Sequence, residues 1–286
     1  MRERNKELKK ELIKESSDEV SREGALSRID EAEIPAEEDF VGEFPCGVFV
    51  NDTLVKEFEV REMDGADEEA LNAVAKKNGG AKVINRLLER CIVRIGSMYQ
   101  KDTSVDAWRA KIASITIPDQ DYALMKIRSV SMGKELECST ECPDCGNKIK
   151  TFFGVDELEV RPYVGDESQS VTFNLPRGYV DEKGEVHKEV RMRIPNGLDR
   201  EVALPVARRN ESKGVTLMLT RICKFTDGYP MSEDVLRKMK IRDRQEIEKQ
   251  NRDLVAFGYD LTVEAECPSC GLEFPVALSN VLKNFL

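Results

Sequence analysis

The chain has 286 residues, 40% hydrophobic and 34% charged, enough for one large domain or two of roughly 100 to 150 residues; no run approaches the roughly 18 to 20 apolar residues of a membrane-crossing helix. Lys and Arg number 44 against 54 Asp and Glu, and the net charge of −10 is the wrong sign for a protein that works mainly on phosphate backbones. The single histidine, His187, rules out chemistry that needs two imidazoles, which leaves eight cysteines as the unusual feature.

Residues 1–40 differ in composition from the rest. They hold 8 basic and 13 acidic residues, and the opening MRERNKELKK is too polar for a secretory signal. Leu8, Leu12 and Ile13 would make one apolar turn, but Val20 and Leu26 are too sparse to extend it and Pro35 ends any helix. An acidic arm is expected here, disordered alone or docked on a partner.

Two similar bodies follow, 41–160 and 161–286. Each opens with a hairpin: Val48 to Val50, a turn at Asn51-Asp52 and Leu54 to Val60 in the first; Tyr179-Val180, a turn at Glu182 to Gly184 and Val186 to Ile194 in the second. A helical middle comes next. Val83, Ile84, Leu87, Leu88, Cys91, Ile92, Ile95 and Met98 recur at steps of three and four and predict one amphipathic helix, echoed by Val215, Leu219 and Ile222. A further helix is expected from Asp243, where Asp243 and Glu246 have capping-box spacing, and its counterpart from Asp119. Alternating strands then flank two CPxCG strings: Leu136, Cys138, Thr140 and Ile149, Thr151, Phe153 in the first body, and Leu261, Val263, Ala265 and Phe274, Val276, Leu278 in the second.

The bodies superimpose along the sequence. A displacement of 132 residues lays Lys56-Glu57 on Lys188-Glu189, Arg61 on Arg193 and Gly65 on Gly197; 131 lays Arg90 on Arg221; 124 lays Ile117 and Asp119 on Ile241 and Asp243; 125 superimposes the cysteine strings. Such drifting offsets are what short loop insertions produce, and they indicate an internal duplication. The expected fold class is α+β, internally duplicated, each half a β-hairpin, short helices and a zinc-knuckle hairpin.

In a CPxCG string the two-residue gap lets both thiolates face one metal, while the glycine permits the positive φ of the turn. Two half-sites make one tetrahedral site, so Cys142, Cys145, Cys267 and Cys270 are expected to hold one structural Zn2+ per chain in a zinc-ribbon-like arrangement of four cysteines. A redox dithiol, paired disulfides and an iron site of the same geometry are the competing readings. Cys138 aligns with Val263 and reads as a buried strand residue, while Cys91 and Cys223 fall on apolar helix faces. Cys46 aligns near Gly178 without a signal, His187 takes the place of Val55, and Trp108 falls where the second half has Val235 or Leu236, which suggests packing.

The strings LMLTRICKFTDG, MKIRDRQEIEKQ and AECPSCGLEF, within 186–286, resemble the T-even-type phage baseplate hub and hub-assembly proteins; the first half carries the same pattern more faintly. The resemblance implies a component or assembly factor of the contractile tail, made in the bacterial host cytoplasm and located in the virion tail baseplate. Its implied partners are other baseplate and hub proteins and the tape-measure protein, with the arm, a departure from the family, as a contact. The reading is a non-enzymatic structural protein with a zinc staple, binding neither membrane nor nucleic acid. The alternatives are an assembly chaperone absent from the particle, a zinc ribbon that binds nucleic acid through Lys148 and Lys150, a metal-dependent enzyme and an unrelated zinc-stapled adaptor.

Overall fold

The computed structural model describes residues 40–78 and 80–277, and the expectations placed on the arm through Asp39 and on Leu278 lie outside this range. Within it the order of hairpin, two helices, strand, two helices and closing hairpin runs twice, with further short strands that differ between the halves. Strands β1 (Phe40–Val50) and β2 (Thr53–Val60) are followed by helices α1 (Gly65–Asn78) and α2 (Gly80–Cys91) and by strands β3 (Ile92–Ile95) and β4 (Met98–Tyr99). Helices α3 (Val105–Ser114) and α4 (Ile117–Met132) then lead to the hairpin of β5 (Glu135–Glu141) and β6 (Lys148–Gly154). After β7 (Val160–Arg161) the series returns as β8 (Ser170–Val180), β9 (Val186–Arg193), α5 (Gly197–Ala207), α6 (Glu211–Ile222) and β10 (Cys223–Phe225). Helices α7 (Glu233–Lys238) and α8 (Ile241–Leu254), strand β11 (Gly258–Tyr259) and the hairpin of β12 (Thr262–Glu266) and β13 (Glu273–Ala277) complete it. The fold is α+β with small antiparallel sheets, ordered β1-β2-β3-β4 in the first half and β10-β9-β8 in the second.

Local chemistry sets these elements. Asn51 and Asp52 take φ of 49° and 62°, the left-handed pair that a two-residue hairpin turn needs, and Val50 pairs with Thr53 across it. Each opening hairpin then breaks register at a Pro-x-Gly step, Pro45 to Gly47 between Glu43 and Val48 and Pro176 to Gly178 between Asn174 and Tyr179. Gly47 and Gly178 sit at φ of 102° and 86°. Proline supplies no amide to a ladder and glycine accepts the left-handed backbone, so both halves bulge at the same point.

The helix predicted over Val83 to Met98 ends instead at Cys91, whose carbonyl accepts the Arg61 N–H at 2.9 Å. The β-branched run from Ile92 enters the sheet, pairing Val60 with Ile92 and Phe58 with Ile95. A register shift between Glu59 and Val60 lets Ile92 and Ile95, three residues apart, both face the core. A spacing of three therefore imitated a helix. The later helices also start before the acidic residues expected to open them: α4 begins at Ile117 behind the cap Thr116, and α8 at Ile241 behind Lys240. Asp119 and Asp243, in the first turns, leave capping aside and accept the amides of the hairpin bulges: Cys46 and Gly47 at 3.0 Å each, Arg177 at 2.7 Å and Gly178 at 3.4 Å.

Each half has its own apolar core, one around Phe44, Phe58, Leu87, Leu88, Ile92 and Ile95, the other around Leu175, Met192, Leu219, Phe225, Leu236 and Ile247. Two smaller clusters, one holding Met125 and Leu136 and the other Ile149, Phe274 and Val276, support the closing hairpins. The halves are joined where β7 pairs with β11, and where Ile117 N–H reaches Pro195 O at 2.8 Å and Gly197 N–H reaches Ile115 O at 3.1 Å.

Candidate metal centre

The two closing hairpins carry the cysteines in the same geometry. In the first, Gly146 N–H donates to Cys142 O at 3.0 Å and Cys142 N–H to Asn147 O at 2.9 Å; in the second, Gly271 N–H donates to Cys267 O at 2.8 Å and Cys267 N–H to Leu272 O at 2.9 Å. Gly146 and Gly271, at φ of 70° and 72°, complete turns that a side chain would strain. Cys142 and Cys267 are buried against Ile149, Ala265, Phe274 and Val276, while Cys145 and Cys270 face outward.

The hairpins bring the four sulfurs together. Cys142 Sγ lies 3.7 Å from Cys270 Sγ and Cys145 Sγ 3.6 Å from Cys267 Sγ, and all four lie within 4.8 Å of one another. Disulfide sulfurs would be about 2.05 Å apart. Sulfurs about 2.3 Å from a shared ion at tetrahedral angles would be about 3.8 Å apart, so the quartet fits a metal ion. Its electrostatics point the same way. Burial pushes the Cys267 thiol up, but the amides of Ser269 and Cys270 and the neighbouring thiols outweigh it and bring it to about 6. Cys270, although the Leu272 amide favours its thiolate, is driven to about 12 by burial and by those same neighbours. Four thiolates this close repel one another, and a cation removes the conflict.

The family comparison bears on the whole arrangement: the family described as T4 bacteriophage base plate protein matches residues 48–286. The chain belongs to this family. No curated protein and no solved structure matches it. The matched segment takes in the first half from Val48 onward, the whole second half and both CPxCG hairpins, and a T4-type baseplate protein is located in the virion tail. No helix among the described residues is long and apolar enough to cross a membrane.

The remaining cysteines of this baseplate protein are packed. Cys91 and Cys223 lie in the two main cores, and Cys138 packs beside Phe153 and Val263 under the hairpins. Burial above all pushes the Cys46, Cys91 and Cys223 thiols up to about 12, which makes them poor nucleophiles. Trp108 is buried and donates its indole N–H to Glu89 O at 3.0 Å. His187 stacks on Tyr229 with ring centroids 3.9 Å apart, its Nδ1 2.7 Å from Asp227 Oδ2 and its Nε2 3.7 Å from Asp181 Oδ2.

The full burial of four aspartates of this baseplate protein gives no signal in local sequence patterns. Asp67 and Asp199 each lie beneath two arginines, and Asp119 and Asp243 hold the hairpin bulges. Asp67 and Asp199 stand at the same displacement of 132 residues as Arg61 and Arg193, a signal present in the repeat itself.

Proposed function

We propose that the chain is a non-enzymatic structural component of the phage baseplate, in its hub region, in which one zinc ion per chain fastens two duplicated halves together. The observation that carries this is the sulfur quartet, whose pairs join residues 128 and 122 positions apart. Four protein thiolates leave no coordination position for water or substrate, which is the character of a structural zinc site. When bound, the ion supplies closure of the chain and charge neutralisation. Its affinity then adds to folding stability, on the order of 10 kcal/mol for sites of this kind. The family membership supports the tail location, and the acidic arm, residues 1–40, is the proposed contact to other baseplate proteins. Nucleic acid is disfavoured at the knuckles. Lys150 is paired with Glu137 at 2.9 Å, and the second hairpin places Glu273 and Pro275 where the first has Lys148 and Lys150.

Metal analysis of the purified chain and mass spectrometry of purified particles test this reading. One zinc per chain and a stoichiometric presence in the particle are expected. Iron in place of zinc overturns the zinc assignment, and absence from the particle makes the protein an assembly chaperone.

A further inference from the structure

The halves meet through different surfaces. The first half contributes the head of α4, where Thr116 bridges Asn196 and Ile117 N–H donates to Pro195 O. The second contributes the head of α5. Gln120, fully buried, donates to Asn85 Oδ1 at 2.6 Å; Asn85 in turn donates to Glu201 Oε1 at 2.7 Å and to Gly197 O at 3.3 Å; Arg200 pairs with Asp121 at 2.6 Å. The approach is so close that a Cβ on Gly197 would collide with Gln120 and Asn85. Helix α4 of one half thus plugs into the start of α5 of the other.

Because these helix pairs occur twice, each half owns both a plug and a socket, and one of each is left over among the described residues. The spare plug is Lys240, Ile241 and Arg242 at the head of α8; all three are exposed, Ile241 by 67%, whereas the counterparts Thr116 and Pro118 are buried. The spare socket is Met63, Asp64 and Gly65 at the head of α1. A Cβ on Gly65 would meet no atom of the described residues within 4 Å, and a groove of about 460 Å³ opens there beside Leu71, Val83 and Met132. The charges are complementary, since Lys240 and Arg242 are exposed on the plug and Glu68 and Glu69 on the socket.

We infer that the partner for these two surfaces is a second copy of this chain. The head of α8 of one copy seats on the head of α1 of the next and repeats between molecules the junction that already joins the halves within each. The internal junction supplies the precedent for this docking, and opposite charge favours the encounter. The contact is heterologous, so successive copies close into a ring or extend as a helix. The inference stands on the helix heads and is independent of the metal.

Sedimentation of the full chain over concentration and salt series tests it. Reversible association that weakens with salt is expected; a 32.4 kDa monomer at every concentration overturns it. Gly65→Trp fills the socket and Ile241→Asp spoils the plug, both at exposed positions, and unchanged melting verifies folding. Each variant alone is expected to be monomeric, while an equal mixture forms a dimer that grows no further, because each retains one intact surface. Association that survives either substitution alone overturns the assignment. In a mixture of isotopically heavy and light wild-type chains, zero-length coupling should link Lys240 of one to Glu68 or Glu69 of the other. Coupling of Lys240 to residues 1–39 instead would name the arm as occupant and overturn the second copy.

Discussion

Asp67 and Asp199 hold the same position in the two halves, third residue of the first helix after the hairpin, each fully buried with two arginines closed on its carboxylate. Arg61 grips Asp67 through both terminal nitrogens at 2.7 and 2.9 Å and Arg90 completes the clamp; Arg193 grips Asp199 at 2.6 and 3.0 Å, with Arg221 at 2.8 Å. One arginine comes from the end of the hairpin and the other from the end of the second helix, so the buried carboxylate ties three elements of each half together.

Replacing Asp67 or Asp199 by Asn leaves two arginines against a neutral amide. A loss of about 3 kcal/mol is expected in urea unfolding at neutral pH, against less than about 0.5 kcal/mol for the exposed Glu68→Gln. A loss as small as that of Glu68→Gln would mean that the clamp is ornamental.

The pH response has a sign. Although burial opposes it, Arg61, the Asp64 amide and Arg90 hold the Asp67 carboxyl down at about 2, below its unfolded value near 4. Its contribution is therefore complete above pH 4 and fades as pH falls toward 2. Asp119 runs the other way: burial outweighs the Cys46 and Gly47 amides and lifts it to about 6. Its contribution is complete below pH 4 and is lost as pH rises through 6. Stability relative to D67N should therefore shrink on acidification below pH 4, and stability relative to D119N should shrink between pH 4 and 6. Parallel slopes in the two series would contradict these assignments.

Cys142→Ser or Cys267→Ser should release the metal and lower the melting temperature sharply. Cys138→Val, which copies Val263 of the second half, should keep full metal content. Elemental analysis with calorimetry separates the two outcomes, and retained metal in either serine variant would dismantle the four-sulfur site.

The two helix-head glycines should respond differently. Gly197→Ala forces Gln120 and Asn85 apart and should cost about 2 kcal/mol, whereas Gly65→Ala, facing open space among the described residues, should stay within about 0.5 kcal/mol. Equal costs in thermal unfolding would show that the two helix heads are not differently covered.

The cysteine quartet was legible in the sequence because CPxCG is a local turn whose residues each answer to local geometry, and the repetition paired the two strings. The boundary at Cys91 was not, because Ile92, Ile95 and Met98 keep a helical spacing and only the extra residue Val93 in β3, opposite Glu59 and Val60, reveals that two of them share a sheet face. The burial of the four aspartates was hidden for a different reason. Arg90, which folds over Asp67, lies 23 residues on from it, and the amides that Asp119 accepts lie 72 and 73 residues away. Burial of a charge is decided by partners that no local pattern shows.

The sulfur pairs also impose an order of events. Each hairpin and helix set is built from neighbours in sequence, whereas the quartet closes loops of 122 and 128 residues, which is slow in chain-closure kinetics. Under the proposed zinc staple, tight ion capture waits until both knuckles have formed and met, and a half-folded molecule offers an ion only two sulfurs. In refolding, metal uptake should lag the helical signal, so the loaded fraction counts the molecules whose two ends have found each other.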